Sequence, residues 1–508
     1  MAPSNSSVFR NSYEGLCFAS KVNPKKVAIK FEDVAISYED FVGQIDIAAL
    51  RLIDMGLTAG KSFAAYSQNR PELLVCYYAA AKLGAVFVPL NPNLTTLEVE
   101  YAFRDCGAIF LLYDEAVADV ARRAAPSNCL HSFSELREAP QCEPKAETAY
   151  ADPDDDFLTI YTSGSTGAPK AIVLSHTAQV NAAMALSQMW GVGADDVTVV
   201  GLPLGYLYGL STAAGVGLQT GGTVVILLRF HPREVLEALV AHRATVYHGV
   251  PTMYSMMLEY CEQRDLSFDL SGVRALICAG APLPSEMRER FARRFSRALQ
   301  DYYAMTECTP VFGVYASDRR EVPERAIGRL APFAKVLILR PDGSACEVDE
   351  EGEIFVRGAA TLKRYLNSPD LTAAAMKDGF VRSGDLGHED GQGFYYITGR
   401  LKDVIIRGGA NISPTEVEKI LAAHSGVQDV AVIGSPDRIF GEIPVAFVVR
   451  RMGSNVSADE LIQHAEKMLS DFKVPRQYIF LSMFPLGKTG KVDKAELKRR
   501  VPVAVKNE

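Results

Sequence analysis

The stretch from residue 157 to residue 174 limits the possible folds of this chain more than any other part of the sequence. Two apolar runs, residues 157–160 and 171–174, have the length of buried β-strands. The loop between them consists mostly of glycine and hydroxyl residues and ends in Pro-Lys. That composition is typical of a solvated linker, but a linker rarely joins two apolar strands directly. The segment therefore predicts a strand that opens into a tight ligand-binding loop.

The chemistry of this loop suits a polyphosphate. Glycine lets backbone N–H groups approach a ligand, hydroxyl groups donate hydrogen bonds, and a lysine adds a positive charge. The loop is not a Walker loop, because the Gly-x-x-x-x-Gly-Lys-Ser/Thr spacing is absent. The candidate phosphate-binding residues are Thr162, Ser163, Gly164, Ser165, Thr166, Gly167 and Lys170.

Short apolar runs alternate with stretches of helical spacing through most of the chain before residue 331. This alternation predicts an α/β fold with largely parallel sheets. From Pro332 the strands become shorter and turn signals more frequent, which predicts a β-rich subdomain. A compact set of strands and helices follows residue 400. Because 508 residues are too many for one hydrophobic core, we expect a large N-terminal domain of stacked α/β sheets with the β-rich subdomain, and a small α+β C-terminal domain.

Bulk composition excludes several classes of protein. The net charge of -8 argues against a nucleic-acid-binding surface, which needs a clustered positive field. The nine cysteines occur singly, without the spacing of a zinc site, which favours a reducing compartment. We find no apolar signal core near the N-terminus, no membrane-spanning stretch and no peroxisomal signal at the C-terminus. We therefore expect a cytoplasmic protein.

Further motifs follow the loop in a fixed order. They are Ala-Gly-Ala-Pro-Leu at 279–283, Tyr-Ala-Met-Thr-Glu at 303–307, Ser-Gly-Asp-Leu at 383–386, Gly-Arg-Leu-Lys-Asp at 399–403, Arg-Gly-Gly-Ala-Asn-Ile at 407–412 and Gly-Lys at 490–491. Together these segments resemble the superfamily of adenylate-forming enzymes, which contains acyl-CoA synthetases, adenylation domains of peptide synthetases and luciferases. The resemblance covers nearly the whole chain and is closest to the acyl-CoA synthetases.

The resemblance implies an N-terminal AMP-binding domain, residues 1–400, which holds ATP and a carboxylic acid, and a mobile C-terminal domain, residues 401–508. The implied enzyme is an ATP-dependent carboxylate–CoA ligase. The carboxylate attacks the α-phosphate of ATP and releases pyrophosphate, and CoA then converts the acyl-adenylate to acyl-CoA and AMP. ATP, Mg²⁺ and CoA are the implied cofactors and co-substrates. Because carboxylate and ATP are both anions, the site must supply cations.

The resemblance also assigns the residues of the adenylation step. Lys491 would bridge the carboxylate and the α-phosphate, with Thr306 beside the phosphate and Arg400 on ribose or phosphate. Glu307 would hold Mg²⁺, a hard cation that prefers oxygen ligands, and the Asp385 carboxylate would accept hydrogen bonds from the ribose hydroxyls. The residues expected along the adenine are Gly280, Ala281 and Pro282, with Tyr303 stacked on the ring.

The resemblance places a hinge and a CoA site in the last part of the chain. Lys402 occupies the hinge position, about which the small domain would rotate between the two half-reactions. The implied CoA-binding residues are Arg407, Gly408 and Gly409 on the pantetheine arm, and Phe440, Phe472 and Lys473 near the nucleotide.

The acid pocket is expected around residues 205–208 and 248–250. Tyr206 stands where the family often has histidine, and Gly205 replaces a bulkier residue, so we expect Tyr206 to form a wall and Gly205 to leave space. The expected lining is Gly205, Tyr206, Tyr208, His248, Gly249 and Val250. Because this lining offers no evident Arg or Lys for a second carboxylate, we expect an apolar aliphatic or aryl monocarboxylate, such as an acid of fatty-acid metabolism.

Two other functions stay open at this point. A stand-alone adenylation enzyme would pass the acyl group to a carrier protein instead of CoA. A non-catalytic nucleotide-binding protein could keep the fold, although it would not need Lys491, Glu307 and Asp385. The sequence favours neither a monomer nor a homodimer.

Overall fold

The computed structural model describes residues 9–140, 152–162, 169–318, 320–407, 410–437, 439–487 and 491–501. The strands are β1 Val27–Phe31, β2 Val34–Ser37, β3 Ser62–Tyr66, β4 Val86–Leu90, β5 Leu111–Tyr113, β6 Leu130–Ser132, β7 Asp156–Thr162, β8 Lys170–Ser175, β9 Val197–Val200, β10 Thr223–Ile226, β11 Val246–Gly249, β12 Ala275–Ala279, β13 Gln300–Met305, β14 Cys308–Gly313, β15 Gly328–Leu330, β16 Lys335–Leu339, β17 Gly352–Arg357, β18 Ala360–Thr361, β19 Arg364–Tyr365, β20 Met376–Lys377, β21 Phe380–Glu389, β22 Phe394–Arg400, β23 Ile405–Arg407, β24 Ala410–Ile412, β25 Val427–Asp437, β26 Gly441–Arg450 and β27 Gln477–Leu481.

The α-helices follow the predicted alternation with the strands. They are α1 Ser12–Val22, α2 Tyr38–Asp54, α3 Pro71–Leu83, α4 Thr96–Asp105, α5 Ala118–Ala124, α6 His176–Trp190, α7 Val216–Gln219, α8 Pro232–Ala241, α9 Pro251–Arg264, α10 Ser285–Phe295, α11 Pro369–Ala375, α12 Pro414–Ala422, α13 Ala458–Glu466 and α14 Lys494–Arg500. None of the helices in the described ranges is long and apolar enough to cross a membrane.

A seven-stranded sheet carries the predicted phosphate loop. Its order is β19-β8-β7-β4-β3-β5-β6, and the strands from β7 to β6 run parallel. β7 and β8 are antiparallel and pair Thr162 with Lys170, so the loop joins two neighbouring strands, as the apolar runs predict. The loop residues Ser163, Gly164, Ser165, Thr166 and Gly167 lie outside the described residues.

The second large sheet contains both the α/β part and the β-rich part of the chain. Its main path is β16-β17-β21-β22-β15-β14-β13-β12-β11-β9-β10-β1-β2. The strands from β1 through β10, β9, β11 and β12 to β13 are parallel, whereas β14 pairs antiparallel with β13. The β-rich subdomain predicted from Pro332 onward therefore continues this sheet, through the antiparallel pairing of β14 with β15 and of β15 with β22.

The largest hydrophobic core lies between these two sheets. Helix α3 is buried on nearly all sides, begins with Pro71 and ends at Gly84, whose φ of +62° favours glycine. Phe87 of the seven-stranded sheet and Val224 of the larger sheet belong to the same core cluster as this helix. An all-round apolar helix suits this position, because α1, α2 and β4 all pack against it.

The C-terminal unit, which comprises β23 to β27 and α12 to α14, has a sheet and hydrophobic clusters of its own. Its sheet has the order β24-β23-β26-β25, with β27 parallel to β26. Val417 and Leu421 of α12 and Leu461 of α13 pack with Val432 of β25. The compact set of strands and helices predicted after residue 400 is thus present, with β24, β27 and α14 as elements that the sequence reading missed.

Candidate active site

The loop after β12 forms the centre of the candidate site. Gly280, Ala281 and Pro282 connect β12 to α10, at the carboxyl ends of the parallel strands where α/β sheets bind ligands. Gly280 has a φ of +89°, which favours glycine. A Cβ at this position would lie 3.4 Å from Val250 Cγ1 and 3.6 Å from Lys491 Cε. The structure thus brings the predicted adenine loop, one acid-pocket residue and the predicted catalytic lysine together.

A buried carboxylate organises the ribose side. Asp385 is 3% exposed, and its carboxylate accepts a hydrogen bond from the Tyr303 hydroxyl. Arg400 Nε lies 2.8 Å from Asp385 Oδ1, and these two residues are register partners on β21 and β22. Burial and Asp385 both raise the pKa of Tyr303, so the phenol stays a donor. Strand pairing therefore joins three residues that the motifs predicted separately.

Tyr303 is further oriented by ring stacking. Its ring centroid lies 5.5 Å from that of Phe312, with 24° between the planes, and Phe312 stacks on Tyr395 at 4.3 Å. Phe312 is directly opposite Tyr303 on the antiparallel strand β14. The predicted adenine-stacking residue is thus held by neighbouring rings and by Asp385.

The phosphate and metal side contains Thr306, Glu307 and Lys170. Thr306 and Glu307 form the turn between β13 and β14, and Tyr365 donates a hydrogen bond to Glu307 Oε1 at 2.8 Å. Lys170 Nζ lies 5.7 Å from the centre of the Tyr365 ring, and the Thr162 hydroxyl is 3.5 Å from the Lys170 carbonyl oxygen. Tyr365 was missed in the sequence, because only the pairing of β19 with β8 brings it here.

The donor set around Glu307 fits Mg²⁺ held mainly by substrate. No group of three or more His, Cys, Asp or Glu residues that could hold a metal occurs in the described ranges. A single carboxylate is sufficient for Mg²⁺, which usually keeps several waters and binds substrate phosphates. Glu307 is therefore compatible with its predicted role.

Lys491 reaches the site from the C-terminal unit. Its turn is closed by a bridge between Leu486 and Val492 and by a hydrogen bond from Gly487 N to the Lys491 carbonyl at 2.7 Å. Lys491 is an exposed residue, yet desolvation by the surrounding protein and the charge of Arg400 lower the pKa of its ammonium group. Desolvation and Arg400 likewise lower the pKa of Lys402, in the short turn Leu401–Asp403. The cleft therefore concentrates positive charge, as two reacting anions require.

Aromatic side chains surround two residues predicted for the acid pocket, Tyr208 and His248. The His248 ring contacts Trp190 at 5.0 Å and Tyr208 at 5.7 Å between centroids, and Trp190 contacts Tyr302 at 5.0 Å. Tyr208 Oη lies 3.4 Å from the Gly249 carbonyl and 3.3 Å from that of Ile277. The structure thus joins the predicted residues Tyr208, His248 and Gly249, and adds two aromatic residues that the sequence reading missed.

The sequence offered a signal for Tyr302 but none for Trp190. Tyr302 precedes the predicted Tyr303 on β13, so strand alternation places it on the opposite face. Trp190, the only tryptophan of the chain, ends α6 far from any motif.

His248 is 2% exposed, and burial lowers its pKa to about 3. The imidazole is therefore neutral near pH 7, and this face presents no fixed positive charge from His248.

The expectation that Gly205 leaves space for the acid is wrong. A Cβ at Gly205 would lie 2.6 Å from both Cα and N of Asn91. Glycine is needed here because another segment of backbone passes against it, and no room is left for a bulkier side chain. Burial and Glu98 of α4 raise the pKa of Tyr206 to about 12, and its place in the acid pocket stays a prediction.

The predicted CoA residues of the C-terminal unit also form one group. Arg407 Nη1 donates to the Phe472 carbonyl at 2.6 Å, and its guanidinium lies 4.8 Å from the centre of the Phe440 ring. Phe440 and Phe472 are 43% and 38% exposed. Lys473 Nζ is bound to Glu416 at 2.7 Å, so it must leave that carboxylate to meet a phosphate. Gly408 and Gly409 lie outside the described residues.

Comparison with known proteins shows the family of the chain. A model of the AMP-binding enzyme family matches residues 18–366, and a model of the AMP-binding enzyme C-terminal domain matches residues 416–491. The chain is 34% identical over 483 residues to a feruloyl-CoA synthase of Amycolatopsis, covering 95% of this chain and 97% of the relative. It is 32% identical over 494 residues to an indoleacetate–CoA ligase of Aromatoleum aromaticum, covering 94% and 96%.

A solved structure extends the likeness to the fold. The crystal structure of ATP-bound MatB from Rhodopseudomonas palustris superposes with a TM-score of 0.88 at 29% identity, covering 96% of this chain and 98% of that one. The predicted mixed α/β fold with a large N-terminal and a small C-terminal part is confirmed, as is the prediction of an AMP-forming acid–CoA ligase. The chain therefore belongs to the AMP-binding enzyme family, on the acyl-CoA synthetase side that its motifs predicted.

Proposed function

We propose that this enzyme joins an apolar monocarboxylate to CoA in two half-reactions, with Lys491 acting only in the first. The observation that carries the proposal is the position of Lys491, whose Cε would lie 3.6 Å from a Cβ at Gly280 on the other side of the cleft. A nucleotide-binding protein without chemistry would have no need to bring a lysine from the C-terminal unit to this loop. We place the boundary between the two domains near Arg400, between the segments that the two family models match.

The first half-reaction would form the acyl-adenylate. A carboxylate oxygen attacks the α-phosphorus of ATP, a new P–O bond forms, and the bond to pyrophosphate breaks. Lys491 and Arg400 stabilise the negative charge that builds up between the two anions. Asp385 accepts hydrogen bonds from the ribose, while Thr162 and Lys170 lie at the entrance of the phosphate loop. Glu307 would hold Mg²⁺, which when bound offsets charge on the phosphates.

The second half-reaction would use the other face of the C-terminal unit. Rotation about Lys402 removes Lys491 and brings Arg407, Phe440 and Phe472 toward the adenylate. The CoA thiol loses its proton and attacks the acyl carbonyl, the C–S bond forms, and the C–O bond to AMP breaks. The Phe440 and Phe472 rings and the Arg407 guanidinium suit an adenine ring and a phosphate respectively.

The acid we propose is aryl or aliphatic and carries a single carboxylate. Tyr208, Trp190 and Tyr302, with the neutral His248, make the acid side of the strands apolar and aromatic. Feruloyl-CoA synthase and indoleacetate–CoA ligase, two similar proteins, are named for ring-bearing acids, which supports an aryl acid. Eight unpaired cysteines among the described residues support a cytoplasmic location.

A panel of acids tests this proposal. Carboxylate-dependent pyrophosphate release is measured with ATP and Mg²⁺ for aryl, short-chain, long-chain and dicarboxylic acids. We expect an aryl or apolar monocarboxylate to give the highest kcat/KM, and a preference for dicarboxylic acids would contradict the proposal. Product is then measured with free CoA and with a holo-carrier protein. Transfer to the carrier protein alone would identify the stand-alone adenylation enzyme, and no pyrophosphate release with any acid would favour the non-catalytic alternative.

A further inference from the structure

Two side-chain contacts connect the C-terminal unit to helices α9 and α10, away from the network of Tyr303, Asp385 and Arg400. Arg451, just after β26, forms an ion pair with Glu286 in the first turn of α10. Gln428 Nε2, on β25, donates a hydrogen bond to Glu259 Oε1 of α9 at 2.8 Å. Neither contact involves a residue that the motifs predicted to touch ATP, acid or CoA.

The two acidic partners stand on helices that begin at the active site. α9 begins at Pro251, directly after Val250, which lies beside Gly280. α10 begins at Ser285, shortly after the predicted adenine loop. The dipole of α10 also favours a carboxylate at Glu286. A group docked on these two helices is therefore fixed relative to the adenylate site.

The basic partner belongs to the same packed unit as the turn that carries Lys491. Arg451 Nη2 also donates to the Val427 carbonyl of its own unit at 3.2 Å. Val449, close to Arg451 in sequence, packs in the same apolar cluster as Phe484 and Val492, which flank the turn that carries Lys491. Because close-packed side chains move together, docking at Arg451 also sets the position of Lys491.

We propose that Arg451 and Glu286, assisted by Gln428 and Glu259, are positioning residues that dock the C-terminal unit for acyl-adenylate formation and separate for thioester formation. The inference rests on the two half-reactions proposed above. The Arg451 and Glu286 side chains are 40% and 37% exposed. An exposed ion pair shifts an equilibrium only by on the order of a fewfold, so this one can hold the unit in place and still break in every catalytic cycle.

Charge reversal tests the pair. The variants are Arg451→Glu, Glu286→Arg and the double variant that exchanges the two charges. Adenylation is measured as carboxylate-dependent exchange of pyrophosphate into ATP, and thioester formation from supplied acyl-adenylate and CoA. We expect each single variant to lower the exchange rate about three- to tenfold, and the double variant to recover to within about twofold of the unmodified enzyme. Thioester formation should stay unchanged or rise in all three variants.

Arg290 and Glu262 provide a matched control. Their side chains form an ion pair at 2.7 Å between α10 and α9, the same two helices, and among the described residues no hydrogen bond or ion pair joins either of them to the C-terminal unit. Glu262→Arg should leave the ratio of the two half-reactions unchanged. Gln428→Ala, which adds no charge, should lower exchange less than Arg451→Glu does, again without loss of thioester formation.

Several results would overturn the inference. Equal losses in both half-reactions would indicate general damage, and an unrepaired double variant would show that the two charges do not act on each other. Unchanged exchange in the single variants would show that the pair does not position Lys491. If the unmodified enzyme makes no thioester, the proposed CoA ligation is wrong. The role of the pair in adenylation is then still decided by the pyrophosphate exchange rates, which should fall in the single variants and recover in the double variant.

Discussion

The predicted nucleotide side and the predicted acid side of the site are built in opposite ways. On the nucleotide side Asp385 is bound by Tyr303 and Arg400, so charged and polar groups are paired before any ligand arrives. On the acid side rings pack on rings, and among the described residues His248 Nδ1 and Trp190 Nε1 have no hydrogen-bond partner. ATP is the same for every enzyme of this kind, whereas the acid differs. The predicted site for the constant ligand thus consists of paired charges, and the predicted site for the variable ligand consists of packed rings.

Replacing Lys491 should produce the largest effect. The replacement tests whether a lysine from the C-terminal unit supplies a charge that the nucleotide side needs. Lys491→Ala should lower acyl-adenylate formation by about 10²–10³-fold, because a preorganised cation is lost where charge develops. Thioester formation from supplied acyl-adenylate should stay nearly intact, since Lys491 belongs to the first arrangement only. Both rates are measured separately, and Lys498→Ala, on the exposed part of α14, is the control. Equal loss in both rates would contradict the assignment.

The paired carboxylate should give the next largest effect. Asp385→Asn keeps the shape of the side chain but removes the charge that binds Arg400, and it places an N–H₂ group or a weaker acceptor against two donors. Hydrogen bonds to charged groups are worth about 1.5–3 kcal/mol, so we expect KM for ATP to rise about tenfold or more.

A nucleotide analogue sharpens the test of Asp385. The preference of the unmodified enzyme for ATP over 2′-deoxy-ATP should shrink in the variant, because one partner of the ribose hydroxyls is gone. Steady-state kinetics at saturating acid give both values. A rise in KM for the acid of the same size would show that Asp385 does not serve the nucleotide side specifically.

Contiguous motifs in the sequence predicted residues that the structure brings close together, and their roles stay predictions. Tyr303, Glu307, Asp385 and Arg400 come from motifs, and strand pairing places Tyr303, Asp385 and Arg400 in one network while Glu307 lies in the turn after β13. Trp190, Tyr302 and Tyr365 reach the site through sheet order and helix packing, which no local pattern expresses. Contacts of this second kind depend on the whole fold, and the acid side consists mainly of them.

Gly205 shows why one expectation about the acid pocket, that this glycine leaves space for the acid, was wrong. A glycine in place of a bulky residue has two meanings, room for a ligand or close contact with backbone, and one sequence cannot separate them. Here the neighbour is the backbone of Asn91, 2.6 Å from the position of a Cβ. The absence of a side chain is thus a requirement of packing.

A single methyl group can test that interpretation of Gly205. Gly205→Ala should lower the free energy of unfolding by about 1–3 kcal/mol, since overpacking against backbone forces a local shift. Denaturant unfolding measures the loss. Activity should change by the same factor for all acids, if it changes at all. Gly43→Ala is the control, because Gly43 lies in α2 with nothing within 4 Å of a Cβ and alanine favours a helix by roughly 0.5–1 kcal/mol. A fully stable Gly205→Ala with altered acid preference would restore the pocket interpretation.

The smallest expected effect distinguishes two tyrosines whose hydroxyl groups share one backbone acceptor. Tyr208 and Tyr254 both direct a hydroxyl at the Ile277 carbonyl, at 3.3 Å and 2.9 Å. Tyr208 contacts the His248 ring, whereas the rings packed on Tyr254 are those of Tyr247 and Phe291. Tyr208→Phe should raise KM for the acid by a few fold at most, in line with about 0.5–1.5 kcal/mol for a neutral hydrogen bond.

Tyr254→Phe removes a shorter bond to the same carbonyl and should reduce stability without changing KM for the acid. Acid kinetics and denaturant unfolding on both variants separate the two effects, and KM for ATP should stay constant in each. If Tyr254→Phe raises KM for the acid as much as Tyr208→Phe does, the hydrogen bonds to the Ile277 carbonyl influence acid binding and the contact between Tyr208 and His248 does not. If only Tyr208→Phe does so, the acid is recognised on the face of Tyr208 and His248, and specificity in this enzyme depends on residues that no motif contains.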